Sequence, residues 1–576
     1  MSRNIRIFLL FVAIFFPVVS SAVDFSVHGY YRNRFEFYDN LDLQRPKVAG
    51  TSNDRFGLIQ FNQMRLRTEP VLKINDNLSI HSQMDFLDNI VFGSSQVERF
   101  EFLSPVIGTQ TLPAGNGAIG MVGGAAGENG SVNVRHVWAE ILIPVGKFRL
   151  GRQPSHWGLG IFQNDGRESK GDFGDAYDRV LFLTQKELGN DAAINLGASW
   201  DIAYESQFDP SIQGLGGQVR DNGQDNHQWA LLLLYEKPNF EIGTFSGIRK
   251  RDASQGSTTM TATAATNTGC TDAAGDGLCD SDVAAGIDGD TLMFFSDIYA
   301  RYNYEEYTFA FEGAYLGGKI TTGLALDALA FNAGTYQDTT KAGIIELPAK
   351  QDIEVLMMAL EANAYYPWGG EWNFKTGYAS GDSTPLSTKI TQFGFRPDYK
   401  VGLLMFNKPL GSSPTLVDSG SGRTLTGGVP ITGNFINNAV YMSGEYRHHL
   451  NIQKSFPKAN DFSIGGRIVT AWAPKKNVNL NFDSLINNET STVTLPNITE
   501  TASSLQERWY GLEIDLLLQG RFYDHLVTSL EMGMLMPRRA YDIDVEATPL
   551  GSVVSPIVVD RSEITYGSRL TVSLEF

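Results

Sequence analysis

Four arginines stand at a spacing of two, Arg32 and Arg34 in YYRNRFEF and Arg65 and Arg67 in NQMRLRTEP. Each pair is followed two residues later by an acid, Glu36 and Glu69. Side chains alternate across a strand, so this spacing puts each set on one face. A guanidinium presents a rigid fork of donors that fits carboxylate and phosphate oxygens. Lining a pore, such a face would handle an anionic solute, because charges along a pore decide which ions pass. The same residues also suit a second use, in which facing acids and bases pair across neighbouring strands and stiffen a wall. Arg301, Arg467, Glu513, Asp515, Arg521, Glu531 and Arg569 extend the polar face along later segments.

Other chemistry has thin support. The sequence contains no H-E-x-x-H, G-x-S-x-G or C-x-x-C-H pattern, and His448–His449 is its only adjacent histidine pair. No catalytic residue, metal site or cofactor is expected. Cys270 and Cys279 are the only cysteines, and their spacing within a loop of an exported chain suits one disulfide. Around them lie Asp272, Asp276, Asp280, Asp282, Asp288 and Asp290. They do not follow the calcium-loop pattern, and a solvated acidic loop is the expectation.

The elements that must carry these residues are read from alternation. Strands are expected at 24–37, 62–74, 78–87, 132–143, 147–153, 179–185, 193–205, 227–236, 240–250, 291–304, 307–317, 353–366, 371–379, 438–450, 462–473, 508–522, 525–536 and 563–576. In 508–522, Tyr510, Leu512, Ile514, Leu516 and Leu518 oppose Glu513, Asp515, Gln519 and Arg521. Hydrocarbon on one side and ionisable groups on the other is the pattern of a strand between lipid and lumen. Short connections such as Glu305–Glu306 and Tyr523–Asp524 alternate with long ones such as 38–61 and 380–437. That rule belongs to up-and-down barrels with tight periplasmic turns and long outer loops. Tyr302, Tyr304, Tyr307, Tyr365, Tyr366, Trp368, Trp372, Phe522 and Tyr523 gather beside the short turns, as an interfacial aromatic girdle would. Of the long connections, 104–131 and 380–437 are candidates to fold into the lumen, though a mobile surface loop is the favoured expectation for both.

Length and composition agree with this reading. The chain has 576 residues, 42% hydrophobic and only 19% charged. After residue 22 no apolar run reaches the eighteen residues of a helical span. Residues 1–22 read as a signal peptide: Arg3 and Arg6, the apolar stretch Ile7–Val19, then Ser20 and Ala22 before a cut. The rest, 23–576, reads as a single barrel domain. A net charge of −18 argues against a nucleic-acid partner.

Two resemblances add to this. The last strand, with Tyr566, Leu570, Val572, Leu574 and Phe576 on one parity, resembles the closing strand of bacterial outer-membrane β-barrels. That resemblance implies an assembly signal and the barrel assembly machinery as a partner. The stretch RHVWAEILIPVGKFRLGRQPSHWGLGIFQNDGR carries Arg135, Glu140, Gly151, Arg152, Gln153, Gly158, Asp165, Gly166 and Arg167, and it resembles the alginate-export family. It implies an eighteen-stranded barrel passing an anionic polysaccharide, with lumen arginines attracting the polymer; Pro154–Trp157 departs from that family's pattern. The expectation is an all-β transmembrane up-and-down antiparallel β-barrel of about eighteen strands in the outer membrane of a Gram-negative bacterium. It would contact outer-membrane lipid and pass a polar solute; the alternative is a plugged barrel serving as a structural or interaction subunit of a cell-surface secretion, adhesion or motility assembly.

Overall fold

The computed structural model describes residues 23–43, 58–91, 132–204, 226–251, 291–321, 350–382, 388–411, 415–418, 423–426, 431–452, 458–475, 508–541, 543–545, 558–560 and 562–576. The leader, the Cys270–Cys279 pair with its acidic loop, and the 104–131 segment lie outside the described residues.

Eighteen long strands follow one another: β1 (Asp24–Asp39), β2 (Leu58–Asn75), β3 (Leu78–Val91), β4 (Val132–Ile143), β5 (Gly146–Pro154), β6 (Ala176–Gly189), β7 (Ala192–Tyr204), β8 (Asn226–Lys237), β9 (Phe240–Arg251), β10 (Thr291–Tyr304), β11 (Tyr307–Thr321), β12 (Lys350–Tyr365), β13 (Gly370–Ala379), β14 (Ala439–His449), β15 (Ala459–Trp472), β16 (Trp509–Phe522), β17 (Leu526–Pro537) and β18 (Thr565–Glu575). Each pairs antiparallel with its neighbours in sequence. β1 also pairs with β18, from Tyr30↔Glu575 to Asp39↔Tyr566, and this closes the barrel. Closure has a physical cause: lipid supplies no partner for a free N–H or C=O, so no edge can be left inside it.

All eighteen expected strands are present. β6 and β7 run further toward each other than alternation suggests, because Asn190 and Asp191 (φ 53° and 57°) make a two-residue turn whose twist matches the sheet. Leu231, Ile298, Leu360, Ile468, Ile514 and Leu570 are exposed on the outer wall. Tyr302, Tyr304, Tyr307, Tyr365, Trp368, Trp372 and Tyr523 are exposed at the short-turn end, where the girdle is expected. Tyr566, Leu570, Leu574 and Phe576 share the outer face of β18.

Two expectations need correction. Tyr510 is not on the outer face. The pairing of β15 with β16 shifts register between Ala471 and Trp472, and this irregularity turns Tyr510 into the lumen, where it is buried and donates to Asn438 O at 3.2 Å. The 380–437 connection is not simply a surface loop. Its described parts 388–411 and 431–438 fold into the barrel, with Leu403, Leu404, Met405 and Phe406 fully buried there.

Candidate functional site

Two inward segments occupy the outer part of the lumen. The first, 155–175, joins β5 to β6. Its two ends are held together by Ser155 N donating to Asp175 O at 3.0 Å and Asp175 N donating to Asn164 O at 2.7 Å. The turn 158–162 sits on one wall carboxylate: Glu312 of β11 accepts from the backbone N–H of Leu159, of Phe162 at 3.3 Å and of Ile161 at 3.4 Å. Gly158 is required here. It takes φ +58°, and a Cβ would lie 2.6 Å from Glu312 Oε2. Trp157 and Phe162 pack on Phe245 and Phe295 of the wall, with ring centroids 6.0 and 5.3 Å apart.

The second segment, 388–411 with 431–438, repeats the device. Glu513 of β16 accepts from Leu403 N, Leu404 N and Met405 N at 2.7, 2.8 and 2.6 Å. Phe395 packs edge-on against Tyr441, and Phe406 against Tyr510. The two segments are also bound to each other. Arg396 donates its Nε to Asp175 Oδ2 at 2.7 Å and its backbone N–H to Ile161 O at 2.9 Å. Asp398 accepts from Asp172 N at 2.8 Å and Phe173 N at 3.0 Å.

The four arginines of β1 and β2 all face the lumen, and all are buried, with 0–3% of the side chain exposed. They grip the first segment. Arg32 donates to Ser169 O at 2.7 Å and to Asp172 Oδ1 at 2.8 Å. Arg34 donates to Asp172 Oδ2 at 2.6 Å. Arg65 donates to Gly171 O at 2.9 Å and to Asp88 Oδ1 at 2.6 Å. Arg67 donates to Gly166 O at 3.1 Å and makes a two-pronged pair with Asp85 at 2.7 and 2.8 Å. Arg135 adds a bond to Phe173 O. Burial pushes the Asp172 carboxyl up, but Arg34, Arg32 and Arg65 outweigh it and hold it well below the usual carboxylate range.

The remaining sequence candidates also face inward, and each is paired. Glu36 takes Lys408 at 2.6 Å and Arg569 at 3.2 Å. Arg467 bonds Asp515 at 2.7 Å and Glu445 at 3.4 Å, while Glu531 takes Lys170 at 3.4 Å. Glu69 accepts from Gln83 Nε2 at 2.6 Å, Arg301 donates to Glu241 at 2.5 Å and Arg521 to Glu575 at 2.8 Å. Arg301 and Arg521 stand apart from the arginine cluster, while Glu69 lies at its edge, two residues from Arg67. Sequence reasoning missed Asp172, Asp398, Arg396, Glu312 as an anchor, and the whole apolar lining of the plug. One signal was available: WGLGIF at 157–162 and VGLLMF at 401–406 are apolar runs inside long outer connections, and such runs must be covered by something.

Beside the plug, against β3 to β7, a cavity of about 490 Å³ is lined by Asp88, Arg135, Arg152, Asp172, Asp175 and Asp178, among others. Toward the short turns the lumen side chains are wetter. Lys375, Arg149, Lys147, Arg301 and Arg521 are 30–42% exposed.

No family model matches the chain, and no curated protein matches it. Among solved structures, it is similar to OccK11 (OpdR) of Pseudomonas aeruginosa, at 10% identity and a TM-score of 0.40 over 96% of each chain. The outer membrane protein OpdK of the same organism matches at 9% and 0.39, over 96% of this chain and 98% of that one. An anion-selective porin from Comamonas acidovorans matches at 9% and 0.35, over 96% of this chain and all of the other. At these values the likeness carries no statement about solute, and the fold rests on the strand pairing itself. A closed antiparallel barrel with an apolar outer wall, aromatic rings at its short-turn end and a charged lumen makes this chain an all-β barrel of the outer membrane.

Proposed function

We propose that the chain is a passive channel for polar solutes, with its outer half narrowed by the two inward segments. One observation carries this reading: Arg301, Arg521, Lys147, Arg149 and Lys375 of the inner half are accessible to water, while Arg32, Arg34, Arg65 and Arg67 are buried against the plug. Eighteen strands enclose an interior wide enough for water unless loops fill it. Nothing in this function requires a catalytic group. The finer cargo expectation, an anionic saccharide, draws support from the arginines of β1 and β2, and the alginate-export resemblance points the same way.

A second reading is favoured by a specific observation. The plug shares an apolar core with the wall, in which Ile161, Phe395, Leu403, Leu404, Met405 and Phe406 pack like a protein interior. That suits a closed barrel acting as a subunit of a surface assembly. Single-channel recording in a planar bilayer separates the two. Steady conductance that uronate oligosaccharides block supports the channel, whereas a folded barrel that never conducts supports the closed subunit.

A further inference from the structure

We propose that Arg32, Arg34 and Arg65 form an oxyanion site that the chain fills with its own Asp172, so that a solute anion binds by displacing this carboxylate. Arg32 and Arg65 are direct cross-strand partners, and like charges placed opposite each other repel. Asp172 answers that repulsion: its carboxylate lies 2.8 Å from Arg32, 2.6 Å from Arg34 and 3.9 Å from Arg65. The other acceptors that the 165–175 segment offers these three residues are uncharged carbonyls of Ser169, Lys170, Gly171 and Asp172.

Among the described residues, the contiguous ion-pair network contains Arg32, Arg34, Arg65, Arg67, Arg135, Lys408 and Arg569 against Glu36, Asp85, Asp88 and Asp172. Within these pairs of described residues, cations outnumber carboxylates by seven to four with Asp172 in place. Arg34 Nε is buried without an acceptor. The carboxylate is also the accessible member of the cluster, 19% exposed where the three guanidiniums are 0–3%, and it lines the 490 Å³ cavity. An anion in that cavity has Arg135 and Arg152 as cationic neighbours and Asp88, Asp175 and Asp178 as acidic ones, and it reaches Arg32, Arg34 and Arg65 by way of Asp172.

Exchange of one carboxylate for another keeps every guanidinium paired, so no buried charge is stranded. What opposes the incomer is the tether, since a short linker gives its own group an effective concentration on the order of millimolar. Binding is thus expected to be weak and fast for one carboxylate and stronger for a polyanion, which suits passage. The consequence for conduction rests on the channel reading; anion binding itself does not.

The test uses the full-length barrel in detergent, with citrate as the probe. Calorimetric titration should show Asp172→Asn and Asp172→Ala binding citrate about tenfold more tightly than wild type, with Asp172→Glu restoring weak binding. The gain should vanish in Asp172→Asn combined with Arg34→Gln. Folded Asp172→Asn protein, verified by heat-modifiable mobility, with wild-type citrate affinity overturns the proposal. Wild type supplies a reading that needs no variant: citrate should speed hydrogen exchange at the Asp172 and Phe173 amides, and exchange indifferent to saturating citrate also overturns it. Tighter citrate binding in barrels that never conduct would sink the channel reading alone. Conducting barrels with unchanged citrate binding would sink this one alone.

Discussion

At the scale of single residues, the inward segments depend on carboxylates that accept main-chain N–H groups. Glu513 takes three such donors. Glu513→Ala strands all three, and each buried unsatisfied group costs about 1–3 kcal/mol. The second segment is then expected to undock, seen as faster hydrogen exchange at 403–405 and a noisier, larger conductance. Glu513→Gln keeps an acceptor oxygen and should fall between. Lys400 gives a pH dependence. It lies over the Phe173 ring, 5.7 Å from its centre, and burial pushes its ammonium down to about 8. Below that value it adds a positive charge to the plug, and above it the charge is lost. Anion preference, measured as reversal potential in a salt gradient, should therefore fall between pH 7 and pH 9, and Lys400→Met should remove the step. The arginines were legible in the sequence because a spacing of two fixes a face. Their partner Asp172 was not, because no local pattern connects residues 138 and 140 apart in the chain.

At the scale of elements, strands were legible because the two sides of this wall differ so sharply in solvent. A one-residue slip would put Arg467 or Glu531 into lipid, at about 2–4 kcal/mol for a basic group at mid-membrane. Tyr510 escaped that logic, since an irregularity changes a side chain's face without changing composition. The inward segments escaped it too, because they have no period to read. The closing element makes its own prediction. Gly29 N donates to Phe576 O at 2.9 Å and Phe576 N to Gly29 O at 3.0 Å, so this residue completes the seam between β1 and β18. Deleting Phe576 removes both bonds and an outward aromatic ring. The folded, heat-modifiable fraction in the outer membrane should drop several-fold, and an unchanged fraction would argue against its role as an assembly signal.

At the scale of the whole molecule, the barrel holds one apolar core, shared between its wall and the two inward segments, and the question is whether those segments move as one body. Each is anchored separately, by Glu312 on β11 and by Glu513 on β16, on different strands of the wall. Between them run the Arg396–Asp175 pair, the Asp398 bonds to Asp172 and Phe173, and the Arg396 bond to Ile161 O. If those links make one unit, breaking it from either side has the same effect, and breaking both sides adds little. Arg396→Ala and Asp175→Asn should each raise conductance and loosen exchange at 155–175 and 395–405 together, not at one segment alone. The double variant should match the worse single one, with a coupling of about 0.5–3 kcal/mol in a thermal-unfolding cycle. Additive effects, each confined to its own segment, would show two independent loops that happen to touch, and the plug could then open by halves.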